Sequence, residues 1–163
     1  MREDAAILDE MMALLHERYG GELERYLVPP PVFLAMQGSF IRFDAVAAEL
    51  SARFPILERW LNPYGLMQGG MVAAAMDNTL GPLSMLIAPA NVTRRMEIKY
   101  SKGTRPAMEH LVVEASLLER DGRWLTLQAL ARSPDGELLA RATARHYILP
   151  GEVSVGGGEE GLV

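Results

Sequence analysis

Hydrophobic and polar positions alternate with a period of two along the last part of the chain. Leu125, Leu127, Ala129 and Ala131 share one face, with Thr126, Gln128 and Arg132 on the other. Ala140, Ala142 and Ala144 alternate in the same way with Arg141, Thr143 and Arg145. The pattern predicts four strands, over residues 92–101, 111–120, 123–133 and 137–149, read as an antiparallel meander. Asp121-Gly122 and Asp135-Gly136 join the last three, because Asp-Gly pairs tolerate the positive φ of tight hairpin turns.

The first part of the chain repeats differently. Ile7, Leu8, Met11, Leu15 and Tyr19 fall near one face of a helix predicted over residues 4–19, and Gly20-Gly21 stops it. A short second helix is expected to about Val28, before the stiff break Pro29-Pro30-Pro31. Residues 32–43 read as a strand with Gly38 as a weak point or bulge. Asp44 marks a turn, residues 45–54 read as a return strand with some helical character, and Asn62-Pro63 sits in a loop. Residues 68–87 open on Gly69-Gly70 and run on through Met71-Val72-Ala73-Ala74-Ala75-Met76, apolar all round. That is the pattern of a buried helix, and Pro82 predicts a kink or an end after Gly81.

One helix that needs covering, set among antiparallel strands, gives an α+β class with a curved sheet wrapped round a central helix. A sandwich with the helix on one sheet face is the alternative. The expected division is an N-terminal helical extension (1–30), a main domain (31–150) and a flexible tail (151–163), glycine-rich and poor in apolar residues.

Composition narrows the chemistry. The chain of 163 residues is 49% hydrophobic and 23% charged, with a formal net charge of -5. It has no basic block, which argues against a nucleic-acid partner. Its 0 cysteines remove disulfides and thiolate chemistry, and His16, His110 and His146 show no metal-ligand spacing, so no metal is expected. The acidic start is no signal peptide and no apolar run is long enough for a membrane span, so the expected location is cytoplasmic.

Two features point to a site. The first turn of a helix carries N–H groups without internal partners, and Gly69-Gly70 lets a ligand approach them. The same glycines also suit a tight turn or close helix–sheet contact. Asp77 lies within an otherwise apolar helix, where an unpartnered carboxylate is costly. It is either capped or paired with a cation such as Arg94 or Arg95, or held in a cleft as a base or nucleophile. Gly69 and Asp77 are about 12 Å apart along one helix axis. One reacting carbonyl cannot touch both, so joint action needs two antiparallel helices from two subunits.

The run Asn62-Pro63-Tyr64-Gly65-Leu66-Met67-Gln68-Gly69-Gly70, with Asp77-Asn78 after it, resembles the Asn…Gly…His-Gly-Gly…Asp signature of hot-dog-fold acyl-CoA thioesterases. The likeness is to the PaaI-type (phenylacetate-pathway) branch, related to hydroxybenzoyl-CoA thioesterases, and covers roughly residues 33–149. It implies a hot-dog fold, and an acyl- or aryl-CoA substrate cleaved to free acid and CoA by a homodimer or a homotetramer built as a dimer of dimers. Coenzyme A is then half of the substrate and no further cofactor is implied.

The resemblance also implies roles. The Gly69 N–H polarises the thioester carbonyl, and Asp77 of the neighbouring subunit attacks it or activates a water. Asn62 helps place the water or the carbonyl. Thr93 is a candidate for an assisting hydroxyl, although plain strand parity sets it opposite Met96, Ile98 and Tyr100. Gln68 stands where the family has histidine; it cannot take up a proton near neutral pH and is expected to orient by hydrogen bonding. Gln68 and Gly70 are assigned to substrate binding, with Lys102 and Arg105, or Arg94 and Arg95, for the CoA phosphates. Met71, Met76, Leu80 and Trp60 are the expected acyl-pocket lining. Two alternatives stand beside hydrolysis. One is a non-catalytic acyl-CoA-binding protein, kept open by Gln68. The other is a hot-dog hydratase or dehydratase, disfavoured because no histidine lies near the motif.

Overall fold

A helix without a polar face must be covered on nearly every side, and the sheet of this protein does that. The computed structural model describes residues 2–151. In chain order they form α1 (Arg2–Tyr19), a 3-10 segment (Gly20–Arg25), α2 (Pro31–Ala35), β1 (Ser39–Asp44), β2 (Glu49–Pro55) and α3 (Gly69–Ile87). Then follow β3 (Asn91–Tyr100), β4 (His110–Asp121), β5 (Trp124–Arg132) and β6 (Leu138–Ile148). All six strands form one antiparallel sheet in the order β1-β2-β4-β5-β6-β3. The sheet curves round α3, which packs on β2 through β6.

The period-two faces do what their pattern predicts. Leu125, Leu127, Ala129 and Ala131 of β5 and Ala140, Ala142 and Ala144 of β6 are fully buried against Ala75, Met76, Leu80 and Leu83 of α3. Each buried leucine contributes about 1.5–3 kcal/mol. Gly122 and Gly136 take positive φ in the two Asp-Gly turns.

Helix α1 joins the same core through Met11 and Leu15, and the segment after it through Leu23. Two side chains at its end reach the last turn of α3, whose carbonyls have no helical partners. The Arg18 guanidinium donates to the Leu86 carbonyl at 2.9 Å. The Tyr19 hydroxyl donates to the carbonyls of Met85 (3.3 Å) and Ala88 (3.2 Å). Burial pushes the Tyr19 phenol up to about 12, so it remains a donor across the physiological range.

The structure corrects several expectations. Residues 32–43 are not one strand. Pro30 caps α2 and Pro31 occupies its first turn, where a missing N–H costs nothing, so the chain is helical to Ala35. Gly38 is neither a weak point nor a bulge. A Cβ there would lie 2.6 Å from the Phe33 ring and 2.8 Å from the Phe54 ring, so only glycine lets the two aromatics close over the backbone. The return strand begins later than residue 45, because the Asp44 carboxylate accepts the N–H groups of Val46 (3.0 Å) and Ala47 (2.8 Å) and holds a turn. Helix α3 runs on past Pro82 to Ile87. The proline forfeits one bond to the Asn78 carbonyl, and Gly81 has no Cβ to crowd its ring.

The meander expectation holds only for β4, β5 and β6. Strand β3 crosses to the far edge and pairs with β6. The tail expected at 151–163 lies, apart from Gly151, outside the described residues.

Candidate active site

Asp77 is half-buried on α3, and its Oδ1 accepts a hydrogen bond from the Thr93 hydroxyl at 3.2 Å. No ion pair holds it among the described residues; Arg95 instead pairs with Glu97 at 2.6 Å.

Thr93 reaches Asp77 because β3 is irregular. Thr93 faces His146 and Arg95 faces Arg145, so Arg94 is an extra residue in the ladder. A bulge of one residue reverses the parity of everything before it. Thr93 therefore lies on the same face as Met96, Ile98 and Tyr100, contrary to the plain alternation.

The bulge also brings in a residue that the sequence reading leaves isolated. His146 is 1% exposed. Its Nε2 lies 3.2 Å from Thr93 Oγ1 and its Nδ1 3.0 Å from Asn91 Oδ1. Burial pushes the imidazole below its ordinary 6.5, and the Asp77 carboxylate partly opposes this. A signal was present: His146 continues the inward alternation of Ala140, Ala142 and Ala144 by one step. A histidine therefore does lie beside the motif, in space though not in sequence, contrary to the expectation.

Beside Asp77 opens a cavity of about 280 Å³. Gly81, Pro82 and Met85 of α3 form one side, Met11, Met12 and Leu15 of α1 another, and Val28-Pro29-Pro30 closes an end. Asp77, Thr93, Asn91 and His146 supply its polar part. None of the expected lining residues borders this cavity. Met76 and Leu80 are fully buried, while Met71 and Trp60 pack on the outside of the core. The walls come instead from the N-terminal segment, whose part in a site the sequence did not reveal.

The other expected residues cluster at the opposite end of α3. Gly69, Asn62 and Lys102 line a separate surface groove with Tyr100. Among the described residues, the N–H groups of Gly69 and Gly70 donate to no backbone or side-chain acceptor. The Tyr100 hydroxyl donates to the Gly69 carbonyl at 2.8 Å and its ring packs on the glycine. Asn62 Oδ1 is committed to its own turn, accepting from the N–H groups of Tyr64 (2.9 Å) and Leu66 (3.1 Å). Gln68 precedes the first turn of α3, and its side chain makes no capping hydrogen bond, contrary to an orienting bond within the protomer. Lys102 is paired with Glu137, and Arg105 is exposed.

One protomer thus joins Asp77 to Thr93, and Gly69 to Asn62 and Lys102, but does not join the two groups. No set of three or more His, Asp or Glu side chains among the described residues could hold a metal. Among the described residues, no helix is long and apolar enough to cross a membrane.

No family model matches the chain. No curated protein matches it either. Solved structures do. A phenylacetic acid degradation-related protein from Ralstonia eutropha JMP134 is 24% identical with a TM-score of 0.71, over 85% of this chain and 98% of that one. A point mutant of the phenylacetic acid degradation protein PaaI from Thermus thermophilus is 18% identical with a TM-score of 0.66, over 74% and 100% of the two chains. A hypothetical thioesterase from Streptococcus pneumoniae TIGR4, solved with coenzyme A, is 15% identical with a TM-score of 0.64, over 69% and 85%. At these identities the likeness shows the fold: the chain has the hot-dog architecture of these structures.

Proposed function

We propose that the protein is an acyl-CoA thioesterase whose site is completed by a second copy of the chain. The observation that carries this reading is a carboxylate, Asp77, at the polar end of an apolar cavity, on a helix that begins with the free N–H groups of Gly69 and Gly70. The coenzyme A in the Streptococcus pneumoniae neighbour supports the ligand class. The phenylacetic acid degradation proteins support a compact apolar acyl group.

In this reading the acyl group enters the cavity of about 280 Å³, roughly twice the ~150 Å³ that accommodates benzene in an engineered protein cavity. An arylacetyl or medium-length aliphatic group fits that space. The carbonyl oxygen takes the N–H of Gly69 of the partner subunit, which stabilises the negative charge formed on attack. Asp77 removes a proton from water, and the water oxygen bonds to the carbonyl carbon. The C–S bond then breaks, leaving the acid, and the CoA sulfur takes the proton. Asn62 and Gly70 border the same helix start, where Gln68 supplies a carboxamide without a titrating group. Arg105 is the freer cation for the CoA phosphates, since Lys102 is shared with Glu137.

Thiol release from a panel of aryl- and alkanoyl-CoA substrates tests the proposal. Asp77→Asn keeps an oxygen for Thr93 and is expected to lose about 10²–10⁴-fold in turnover, with fold and oligomeric state intact. Unchanged hydrolysis by this variant across the panel sinks the assignment.

His146 revives hydration or dehydration of an enoyl or hydroxyacyl thioester as a second reading. Both ring nitrogens are already engaged, by Thr93 and Asn91, so neither is free to act on a ligand directly. Enoyl product without release of CoA would favour this second reading.

A further inference from the structure

Four side chains in a row leave a proton count that can be worked out. The Asn91 amide nitrogen donates to the carbonyls of Ser84 (3.2 Å) and Pro89 (2.9 Å), which fixes its Oδ1 toward His146 Nδ1 at 3.0 Å. A carboxamide oxygen only accepts, so Nδ1 carries a hydrogen. A neutral imidazole has one N–H, so Nε2 holds a bare lone pair. That lone pair faces Thr93 Oγ1 at 3.2 Å, and Thr93 Oγ1 faces Asp77 Oδ1 at 3.2 Å. An ionised carboxylate also only accepts. Thr93 therefore has one hydroxyl hydrogen and two acceptors. With the imidazole neutral and the carboxylate ionised, the array is one hydrogen short.

A single added proton completes the array in either of two ways. A protonated Asp77 donates to Thr93, which donates to His146. Alternatively an imidazolium Nε2–H donates to Thr93, which donates to the carboxylate. The two forms interconvert by moving hydrogens along existing hydrogen bonds.

We propose that His146, acting through the Thr93 hydroxyl, stores the proton that Asp77 takes from the attacking water and returns it for the departing sulfur. The chemical step rests on the thioesterase reading; the proton count does not. Water loses a proton to Asp77 as its oxygen bonds to the acyl carbon. Asp77 passes a proton to Thr93 Oγ1 and the Thr93 hydrogen moves to Nε2, so the carboxylate is restored and the imidazole becomes imidazolium. When the C–S bond breaks, the same path runs backwards and Asp77 delivers the proton to the thiolate. The sum is thioester plus water giving acid plus thiol.

His146 touches no reacting atom and is a positioning residue. Among the described residues, Asp77 is its one titratable neighbour in the cavity: α3 presents Asp77, β3 presents Asn91 and Thr93, and β5 presents Leu125. Among the described side chains of α1, those that line the cavity are all apolar. Burial keeps the ring neutral and the Asp77 charge favours its protonation, as a store that fills and empties requires.

Nitrogen-15 NMR of the full-length protein reads the count directly, whether or not any thioester is cleaved. The expected result near pH 8 is a His146 ring with hydrogen on Nδ1, whose protonation moves to lower pH in Asp77→Asn. Hydrogen on Nε2, or protonation indifferent to Asp77, overturns the proposal. The kinetic arm measures kcat and KM in mixtures of light and heavy water. Wild type is expected to give a curved dependence of kcat on deuterium fraction, Thr93→Ser to keep it, and Thr93→Val to lose it. His146→Gln is expected to lower kcat about 10–100-fold with KM unchanged. A linear wild-type dependence, or equal losses in Thr93→Ser and Thr93→Val, overturns the relay. Absence of any hydrolysis combined with the expected NMR result refutes the thioesterase reading and leaves the proton array standing.

Discussion

Gly81→Leu separates the cavity from the rest of the site. Gly81 borders the cavity, and a Cβ built on it meets nothing within 4 Å apart from its chain neighbours and its own helix backbone. Leucine adds four carbons, which occupy roughly 120 Å³ if each takes about the 30 Å³ share of a liquid water molecule. Of about 280 Å³, about 160 Å³ then remains, close to the space that holds one benzene. Acyl groups that filled the whole cavity lose burial of about four methylenes, ~3 kcal/mol at ~0.8 kcal/mol each. That is roughly two orders of magnitude in kcat/KM. Short acyl groups keep their contacts and their rate. Stability changes little, since leucine favours the helix over glycine by up to about 1 kcal/mol while its Cβ crowds Pro82. The Tm is expected to stay within about 3 °C of wild type. The assay is kcat/KM for straight-chain acyl-CoA substrates of increasing length, with Gly81→Ala as the smaller step. An unchanged length profile in a folded Gly81→Leu protein refutes the cavity as the acyl site.

Two stability predictions need no substrate. Gly38→Ala places a methyl within 2.8 Å of the Phe33 and Phe54 rings and is expected to cost about 1–3 kcal/mol, read as a lower urea midpoint at unchanged m; Phe33→Leu in the same chain should recover part of the loss. His146, with its folded-state pKa below the unfolded 6.5, contributes stability that is fully present above about pH 6.5. As pH falls from there through the folded value, the unfolded chain binds a proton that the native one resists and the contribution is lost. Urea midpoints between pH 5 and 8 should therefore slope more steeply for wild type than for His146→Gln, and parallel slopes would contradict the burial argument.

How far the site was legible follows from the range of each signal. Asp77 stood out because a charged residue in an apolar helix conflicts with its own neighbours, and such a conflict is visible locally. Gly69-Gly70 stood out for the same local reason. The part of α1 in the cavity was hidden, since an apolar helical stripe reads alike whether it packs on a core or walls a ligand space. Pro29-Pro30-Pro31 read as a break, yet Pro29 and Pro30 close one end of the cavity and Pro31 starts a helical turn.

The faces of β5 and β6, the two Asp-Gly turns, the buried central helix and the distance between Gly69 and Asp77 were all readable from the residues alone. All of these follow from rises, periods and turn preferences set by covalent geometry over a few residues. Long-range packing sets β3 beside β6, makes Arg94 bulge, and so brings Thr93 and His146 together over Asp77. Pairing partners are chosen by contacts between distant segments, and one extra residue in a ladder reverses parity without leaving a mark in the local alternation.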